Sequence, residues 1–229
     1  MLIDCHCHIL PQIDDGSKST EMSLNMIALQ HQQGVETIIA TPHFHAHREK
    51  SIEDYLQKRQ TAFEKIMAEN PAVTDIRLGA EVAVEHGLSR IPGIEKLAYQ
   101  GTKLFLFEFP YSRFDQRYIE EIYNICNDYG LTPVIAHLHR YLDCYTKSEM
   151  KKVLEMNAII QCNNEAFGNF KERHFVKKIL KKGYRVVFGS DAHNLDSRKP
   201  NFDLLVKKAK PEWIDNANQI LSPYLQKTP

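Results

Sequence analysis

The chain of 229 residues has few of the features that mark membrane-bound, nucleic-acid-binding or disulfide-stabilised proteins. No apolar run is long enough for a transmembrane helix, and the first residues lack the basic and apolar segments of a signal peptide. Five cysteines, an odd number, give no disulfide framework. A formal net charge of zero leaves no overall field to attract nucleic acid or an anionic membrane. We therefore expect a cytoplasmic protein that inserts into no membrane and binds no nucleic acid.

Three sequence signatures of catalysis or cofactor binding are also missing. A cysteine-based phosphatase requires an arginine six positions after its cysteine, and none of the five cysteines has one. Neither a Walker A phosphate-binding loop nor a dinucleotide-binding glycine pattern occurs. These absences leave few alternatives to chemistry carried out by metal-activated water.

Apolar segments and helical patterns alternate along the chain. Seven segments have the apolar character of buried strands, at residues 2–5, 36–40, 76–80, 104–107, 132–136, 158–162 and 185–188. Helical patterns lie between them, at residues 20–34, 51–70, 117–130, 147–156 and 170–183, with Thr20 as a cap and Gly183 as a C-cap. This alternation predicts a parallel sheet that forms a closed or nearly closed α/β barrel, with an open doubly wound sheet as the alternative. Since nothing divides the chain, we expect one domain over residues 1–229.

Side chains that can bind metal recur at the ends of six of these strands. They are His6, His8, His43, Glu81, Glu108, His137, Asp191 and His193. From His6 to His137 the successive strand ends lie 27 to 38 residues apart, and one strand plus its return helix takes roughly 30 residues. Because barrel enzymes build their sites at the carboxyl ends of the strands, the spacing predicts a polynuclear metallohydrolase.

The local sequence around these positions supports metal binding. On an extended segment His6 and His8 share a face, and the neighbouring cysteines point the other way. A zinc site made of these cysteines and histidines would need both faces at once. Glu81 and Glu108 each follow a strand of apolar or small residues, where an unpaired carboxylate is costly. For each residue alone the alternative is structural: two histidines that cap a buried strand, or a carboxylate in a salt bridge.

Two loops carry further candidates. Asp14 and Asp15 precede Gly16 in a turn, and Asp14 is interpreted as a turn residue. Asp15 is the better ligand, because hard metals favour carboxylate oxygen. His45 and His47 are expected to be solvated histidines of the loop after the second strand.

Two arginines lie close in sequence to predicted ligands. Arg140 follows His137 by three residues, and Arg198 follows His193 by five. A guanidinium group is planar, permanently charged and suited to phosphate. For either residue alone a surface ion pair is the alternative.

Six segments together resemble the PHP (polymerase and histidinol phosphatase) superfamily and, within it, the CpsB/YwqE-type tyrosine-protein phosphatases of Gram-positive bacteria. They are IDCHCHILPQIDDGS, IIATPHFH, GAEV, LFEFP, VIAHLHRY and GSDAHNLDSRKP, in family order from residue 3 to residue 200. The resemblance implies a distorted (β/α)7 TIM-like barrel and a centre of three divalent metal ions, often manganese. Mixed histidine and carboxylate ligation would also suit iron or zinc.

The resemblance also assigns the ligands to sites. One site would hold His6, His8, Glu81 and Asp191; Glu81 would bridge to a second with Glu108 and His137; a third would hold Asp15, His43 and His193. Arg140 and Arg198 would bind the phosphate of the substrate. The chain departs from its relatives at His139, where they commonly carry glutamate, and at Leu138. Neither is a proposed ligand, so we expect these changes to alter the mouth of the site.

The function implied by this resemblance is metal-dependent hydrolysis of protein phosphotyrosine. The substrate would be a bacterial tyrosine kinase that controls capsule or exopolysaccharide synthesis. The first alternative is a small-molecule phosphatase of the same superfamily, acting on a compound such as histidinol phosphate. The short DDG turn and the paired arginines favour the tyrosine phosphatase. The second alternative is a barrel that keeps its metals only for structure or for binding a partner.

Overall fold

The structure is a computed structural model, and it describes residues 2–225. Its strands are β1 (Leu2–Cys7), β2 (Val35–Ala40), β3 (His43–Phe44), β4 (Asp75–Leu78), β5 (Glu81–Ala83), β6 (Leu104–Glu108), β7 (Thr132–Ile135), β8 (Ile159–Asn163) and β9 (Val186–Gly189). They form two parallel ladders, one in the order β1-β2-β4 and one in the order β3-β5-β6-β7-β8-β9. All neighbouring strands are parallel.

A short additional strand follows each of the second and third predicted strands, which explains why two ladders replace one. After β2 the chain passes Pro42, which has no N–H to donate to a ladder, and resumes as β3. After β4 it passes Gly79 and resumes as β5. Backbone hydrogen bonds continue across both breaks, from Gly79 N to Ala40 O at 2.8 Å and from Glu81 N to Pro42 O at 3.0 Å. The two ladders therefore meet as one curved wall.

The first and last strands also lie side by side. His8 N donates to Ala192 O at 2.9 Å, and Asp191 N donates to His6 O at 2.8 Å. The side chain of Asp4 accepts hydrogen bonds from the backbone and hydroxyl groups of Ser190. These contacts join the end of β1 to the segment after β9, although no continuous ladder closes the ring. The arrangement confirms the predicted barrel-like α/β fold of parallel strands.

Seven helices surround the strands within residues 2–225. They are α1 (Thr20–Gln32), α2 (Ile52–Met67), α3 (Gln116–Tyr129), α4 (Lys147–Leu154), α5 (Phe170–Lys181), α6 (Phe202–Lys208) and α7 (Pro211–Leu225). The first five lie where the sequence predicts them, but the cap of α1 is Ser19 rather than Thr20, and the C-cap of α5 is Lys182 rather than Gly183. Helices α6 and α7 were not predicted. None of these helices is long and apolar enough to cross a membrane.

The two faces of the strands belong to two separate clusters of buried side chains. On β6, Phe105 and Phe107 join the large cluster, which includes residues of all seven α-helices. The alternate residues Leu104 and Leu106 join a smaller cluster, as expected when successive side chains point to opposite faces. Helix α7 contributes to both, because Trp213 belongs to the large cluster and Leu221 to the smaller one.

Truncating Leu221 should destabilise the fold. Its side chain is buried, so Leu221→Ala removes apolar contacts and leaves a cavity, at an expected cost of about 2–5 kcal/mol in the free energy of unfolding. Val206→Ala on α6 is the control, because Val206 is 53% exposed. Chemical denaturation followed by circular dichroism measures both. Equal free energies of unfolding for the two variants would contradict the packing of Leu221 against the strands.

Candidate metal centre

The structure brings all nine predicted ligands to the carboxyl ends of the strands. They come from β1 and the loop after it (His6, His8, Asp15), from β3, β5 and β6 (His43, Glu81, Glu108), and from the segments after β7 and β9 (His137, Asp191, His193). Parallel strands all end at the same edge, so residues distant in sequence meet there. The ligand atoms of eight of these residues fall into three overlapping clusters, and His137 lies beside them in contact with Glu81 and Glu108.

The first cluster is completely buried. His6 Nε2 lies 3.1 Å from His8 Nε2 and 3.1 Å from Glu81 Oε2. Asp191 Oδ1 lies 3.6 Å from the first nitrogen and 3.4 Å from the second. Ligands about 2.1 Å from a tetrahedral ion lie about 3.4 Å from one another. The four atoms thus have the mutual spacing of ligands around a single cation.

Glu81 connects this cluster to a second one. Its Oε1 atom lies 2.8 Å from His137 Nε2, which is 3.4 Å from Glu108 Oε1. Its Oε2 atom lies 3.1 Å from His43 Nδ1, which is 3.8 Å from Glu108 Oε2. Because its two oxygens face different partners, the carboxylate is placed as a bridge.

The third cluster is the most open. Asp15 Oδ1 lies 3.4 Å from His43 Nε2 and 3.4 Å from His193 Nε2. The ring of His8 stacks on that of His193 with centroids 3.8 Å apart. The Asp15 side chain is 65% exposed, so this cluster faces solvent. His43 presents one ring nitrogen to the second cluster and the other to the third.

Two buried acids of the centre, Glu81 and Asp191, are held in the ionised form. Burial alone would raise the pKa of Glu81, but His6 and His43 nearby and a hydrogen bond from His137 hold that pKa well below its usual value. For Asp191 burial is likewise outweighed, by His6, His8 and Arg140, and the pKa is lowered. Burial would lower the pKa of His137, but hydrogen bonds to Glu108 and Glu81 raise it to about 9. Ionised buried carboxylates are the ligands that hard cations prefer.

Several buried ligand atoms make no hydrogen bond although charged or polar neighbours surround them. Glu81 Oε2, His43 Nδ1 and His193 Nε2 are among these atoms. Buried polar atoms in native proteins nearly always have a partner. Here Glu81 Oε2 and His43 Nδ1 lie 3.1 Å apart, and His193 Nε2 lies 3.4 Å from Asp15 Oδ1. These are spacings that ligands have around a shared cation. The residues present therefore fit a polynuclear divalent metal centre.

Asp14, which the sequence indicates only as a turn residue, contacts two of the proposed ligands. Its Oδ2 atom lies 2.7 Å from His8 Nδ1 and accepts a hydrogen bond from His43 N at 2.9 Å. Burial would raise the pKa of Asp14, but His8 lowers it to about 2. Asp14 therefore fixes the ring of one ligand and the backbone of another, as carboxylates behind metal-bound histidines do.

Removing the charge of Asp14 should weaken metal binding without abolishing it. We expect Asp14→Asn to raise the metal concentration for half-maximal activation by about 10- to 100-fold, with activity recovering at saturating metal. Calorimetric titration with Mn²⁺ measures the affinity directly. Asp203→Asn is the control, because Asp203 is exposed on α6. An unchanged affinity in Asp14→Asn would show that Asp14 is only a turn residue.

Strand β8 supplies two further polar residues. Gln161 Oε1 lies 3.2 Å from His6 Nδ1 and accepts a hydrogen bond from His137 N at 2.6 Å. Asn163 Nδ2 donates to Asp191 Oδ2 at 2.9 Å. Both side chains are fully buried. Two polar residues within a predicted apolar strand are the sequence feature that could have indicated their role at the site.

Both predicted arginines lie at one ligand. Arg140 Nη1 is 2.7 Å from Asp191 Oδ2, and Arg198 Nη2 donates to both oxygens of Asp191 at 2.9 Å. Arg140 also donates from Nε and Nη2 to Glu165 Oε1. Both arginine side chains are partly exposed. The structure thus places two fixed cations beside the carboxylates, with part of each open to solvent.

Leu138 and His139 lie in the interior of the protein. Both are completely buried, in the short 3-10 segment that follows His137. Burial and the neighbouring charges of His137 and Arg140 hold the pKa of His139 well below its usual value. His139 is therefore a neutral interior residue. Of the two loop histidines, His47 is exposed as expected, whereas His45 is partly buried beside His43.

Comparisons with a family profile and with known sequences identify the same family of relatives. The profile of the family "Capsular polysaccharide synthesis, CpsB/CapC" matches residues 2–220. Tyrosine-protein phosphatase CpsB of Streptococcus pneumoniae is 31% identical, over 98% of this chain and 100% of its own length.

One solved structure superposes on this chain with a TM-score of 0.79 at 23% identity. It belongs to the crystal structures of YwqE from Bacillus subtilis and CpsB from Streptococcus pneumoniae, which are described as metal-dependent tyrosine phosphatases. It covers 97% of this chain and 92% of that one. Histidinol phosphate phosphatase of Lactococcus lactis, bound to zinc, L-histidinol and phosphate, superposes with a TM-score of 0.59 at 14% identity, covering 97% and 93%. Both likenesses support the fold.

Proposed function

Because the chain belongs to the CpsB/CapC family of capsular polysaccharide synthesis, we propose that it is a metal-dependent phosphomonoesterase that hydrolyses phosphotyrosine in proteins. The observation that carries the proposal is the convergence of nine histidine and carboxylate ligands with two guanidinium groups at one end of the barrel. The ligands suit divalent cations, and the arginines suit the oxygens of a phosphate. A relative of nearly the same length is named a tyrosine-protein phosphatase.

The proposed ligand assignment has three sites. His6, His8, Glu81 and Asp191 form the first, Glu81, Glu108 and His137 the second, and Asp15, His43 and His193 the third. His43 Nδ1 lies as close to Glu81 as a shared ligand would, so His43 also fits the second. We propose manganese as the native ion, with iron and zinc as alternatives of similar ligand preference. The whole chain, residues 1–229, would be one catalytic domain.

Divalent cations in such a centre lower the pKa of water and neutralise phosphate charge. The residues of the chain then have distinct tasks. Arg140 and Arg198 bind the phosphate oxygens and stabilise the negative charge that spreads over them in the transition state. Asp14, Gln161 and Asn163 hold the ligands in place through the contacts described above.

The structure offers no side-chain nucleophile among the nearest cysteines. Cys5 and Cys7 are completely buried, and burial raises the pKa of both thiols well above the usual value. A thiol in that state is a poor nucleophile. Attack by water, without a covalent enzyme intermediate, is therefore the route we propose. A phenolate is also a fairly good leaving group, so the demand for a general acid is modest.

The proposed substrate is a phosphotyrosine-bearing protein in the cytoplasm. By likeness to relatives named for capsular polysaccharide synthesis, we place its physiological target among the tyrosine kinases that control capsule or exopolysaccharide assembly. Neither nucleic acid nor a membrane is part of this proposal.

The test is reconstitution of activity from the metal-free protein. The chain is stripped with a chelator, reloaded separately with Mn²⁺, Fe²⁺ or Zn²⁺, and assayed on a phosphotyrosine peptide, on p-nitrophenyl phosphate and on histidinol phosphate. We expect activity only after reloading, highest on the peptide, with elemental analysis giving three ions per chain. Preference for histidinol phosphate would favour a small-molecule phosphatase. No turnover of any substrate by the reloaded protein would dismiss the proposal.

A further inference from the structure

A groove with aromatic walls opens directly beside the candidate metal centre. It has a volume of about 440 Å³ and reaches from Glu108 to the tyrosines of the next loop and of α3. Its lining includes Ala83, Phe109, Pro110, Tyr111 and Tyr118. Because Glu108 is itself a proposed ligand, the groove is continuous with the site where phosphate would bind.

Tyr111 is an exposed aromatic residue of this groove, and hydrogen bonds hold the backbone of the two residues before it. Its side chain is 63% exposed. The hydroxyl of Tyr141 donates to Phe109 O at 2.7 Å, and the hydroxyl of Tyr145 donates to Pro110 O at 3.3 Å. An exposed aromatic side chain on a fixed backbone loses little conformational entropy when it binds a partner. Tyr111 is therefore suited to recognition.

The ring of Tyr111 is close to the centre through one intervening residue. Its centroid lies 6.0 Å from that of Tyr141, which lies 5.8 Å from that of the proposed ligand His137. Tyr141 is completely buried. These two separations place the Tyr111 ring no more than about 12 Å from the His137 ring, or roughly three Cα–Cα steps. A phosphotyrosine side chain together with a neighbouring residue can span that distance.

Another part of the lining is also preorganised. The ring of His86 stacks on that of Tyr118, with centroids 4.9 Å apart and planes at 20°. His86 Nε2 is in turn 3.3 Å from Asp115 Oδ2. The lining of the groove thus includes both Tyr111 and this stacked pair.

The chemistry of the groove distinguishes it from a second phosphate site. None of the residues that line it is lysine or arginine, and its polar part consists of histidines and carboxylates, namely His45, His47, Glu85, His86 and Glu108. The other cavity beside the centre, of about 400 Å³, is lined by Asp15, His43 and Arg48 among others. Carboxylates disfavour a second phosphate, and the aromatic part of the lining, Phe109, Tyr111 and Tyr118, favours an apolar or aromatic side chain.

We propose that the groove binds an apolar or aromatic side chain next to the phosphotyrosine in a protein substrate. This inference rests on the proposed phosphatase function and deepens it. The enzyme then recognises more than the phosphorylated ring, and Tyr111 is a specificity-determining residue. Small phosphate esters that lack a flanking residue cannot use this contact.

The first test uses the full-length, metal-loaded enzyme with phosphotyrosine peptides that differ only beside the phosphotyrosine. Glycine, leucine or phenylalanine is placed on the amino side or on the carboxyl side. Leucine or phenylalanine on one of the two sides should raise kcat/KM about 5- to 10-fold over glycine. Identical kcat/KM values for all peptides would overturn the proposal.

The second test uses Tyr111→Ala, with Tyr123→Ala as the matched control. Tyr123 is an exposed tyrosine on α3 and is not among the residues that line the groove. For Tyr111→Ala the ratio of kcat/KM on the preferred peptide to kcat/KM on p-nitrophenyl phosphate should fall about 5- to 10-fold. For Tyr123→Ala the ratio should equal that of the wild type. An unchanged ratio in Tyr111→Ala would overturn the proposal.

Binding provides a readout that is independent of turnover. A peptide with a non-hydrolysable phosphonate analogue of phosphotyrosine should bind Tyr111→Ala about 5- to 10-fold more weakly than the wild type, and the glycine-flanked analogue should bind both equally. Equal weakening for both peptides would overturn the proposal, because it would place Tyr111 at the phosphorylated ring itself. If the reloaded wild type hydrolyses neither peptides nor p-nitrophenyl phosphate, the proposed function fails instead.

Discussion

Glu81→Gln should lower kcat/KM for p-nitrophenyl phosphate by at least about 10³-fold, the upper range for loss of one key electrostatic group in an active site. Its two carboxylate oxygens face His6, His8, His43 and His137 at 2.8–3.2 Å. A neutral amide keeps the size of the side chain but cannot bridge two cations. The loss should therefore reach both buried clusters at once.

The measurement combines steady-state kinetics with elemental analysis of the purified variant. We expect fewer ions per chain than in the wild type, together with a far-ultraviolet circular dichroism spectrum that shows the same fold. Glu155→Gln is the matched control, because Glu155 is 60% exposed and pairs with Lys151 across one helical turn. A Glu81→Gln protein with full activity and full metal content would disprove the bridging role.

Arg140→Ala is expected to reduce kcat/KM by about 10²- to 10³-fold on every phosphate ester, comparable to removing one oxyanion-binding donor. The guanidinium group is fixed by Asp191 and by Glu165, so it is preorganised for a phosphate. Burial would lower its pKa, but these two carboxylates raise it. The group therefore carries its charge at any pH of interest.

Arg140→Lys separates charge from geometry. A lysine keeps the positive charge but loses the planar fork, so we expect activity between that of Arg140→Ala and the wild type. Arg185→Ala is the control, because Arg185 precedes the amino end of β9 and donates to Asn157 O. Metal content should stay at the wild-type level in Arg140→Ala. Wild-type kinetics in Arg140→Ala would show that Arg140 does not bind the phosphate.

The ligands themselves could be predicted from sequence, because strand ends supply both the position and the spacing. His6, Glu81 and His137 follow apolar segments at barrel spacing, and parallel strands bring all such ends to one edge. The supporting residues could not be found that way. Gln161 acts on His6 and His137, which are 155 and 24 residues away, so its task is defined only by the fold.

Two parts of the fold were hidden for similar reasons. The predicted strands end at Ala40 and Ala80, and only the pairing pattern shows that the chain resumes after them as β3 and β5 in a second ladder. Helix α6 has seven residues, and α7 contains Pro223 in its interior. Their stability comes from burial of residues such as Leu205 and Leu221, which packing decides and local propensity does not.

The seam between the two ladders has a thermodynamic consequence. His6 lies in β1 of the three-stranded ladder, and His8 and Asp15 lie in the segment after it. The other six proposed ligands lie in strands of the six-stranded ladder or in the segments after them. A cation shared by His6 and Glu81 would therefore cross-link the ladders and bind only the folded chain. At a free ion concentration 100 times the dissociation constant, this linkage is worth about 2.7 kcal/mol of stability, or about 5–10 °C in Tm. The same ions would then stabilise the barrel, so that removing the metal would lower the stability of the fold as well as abolish activity.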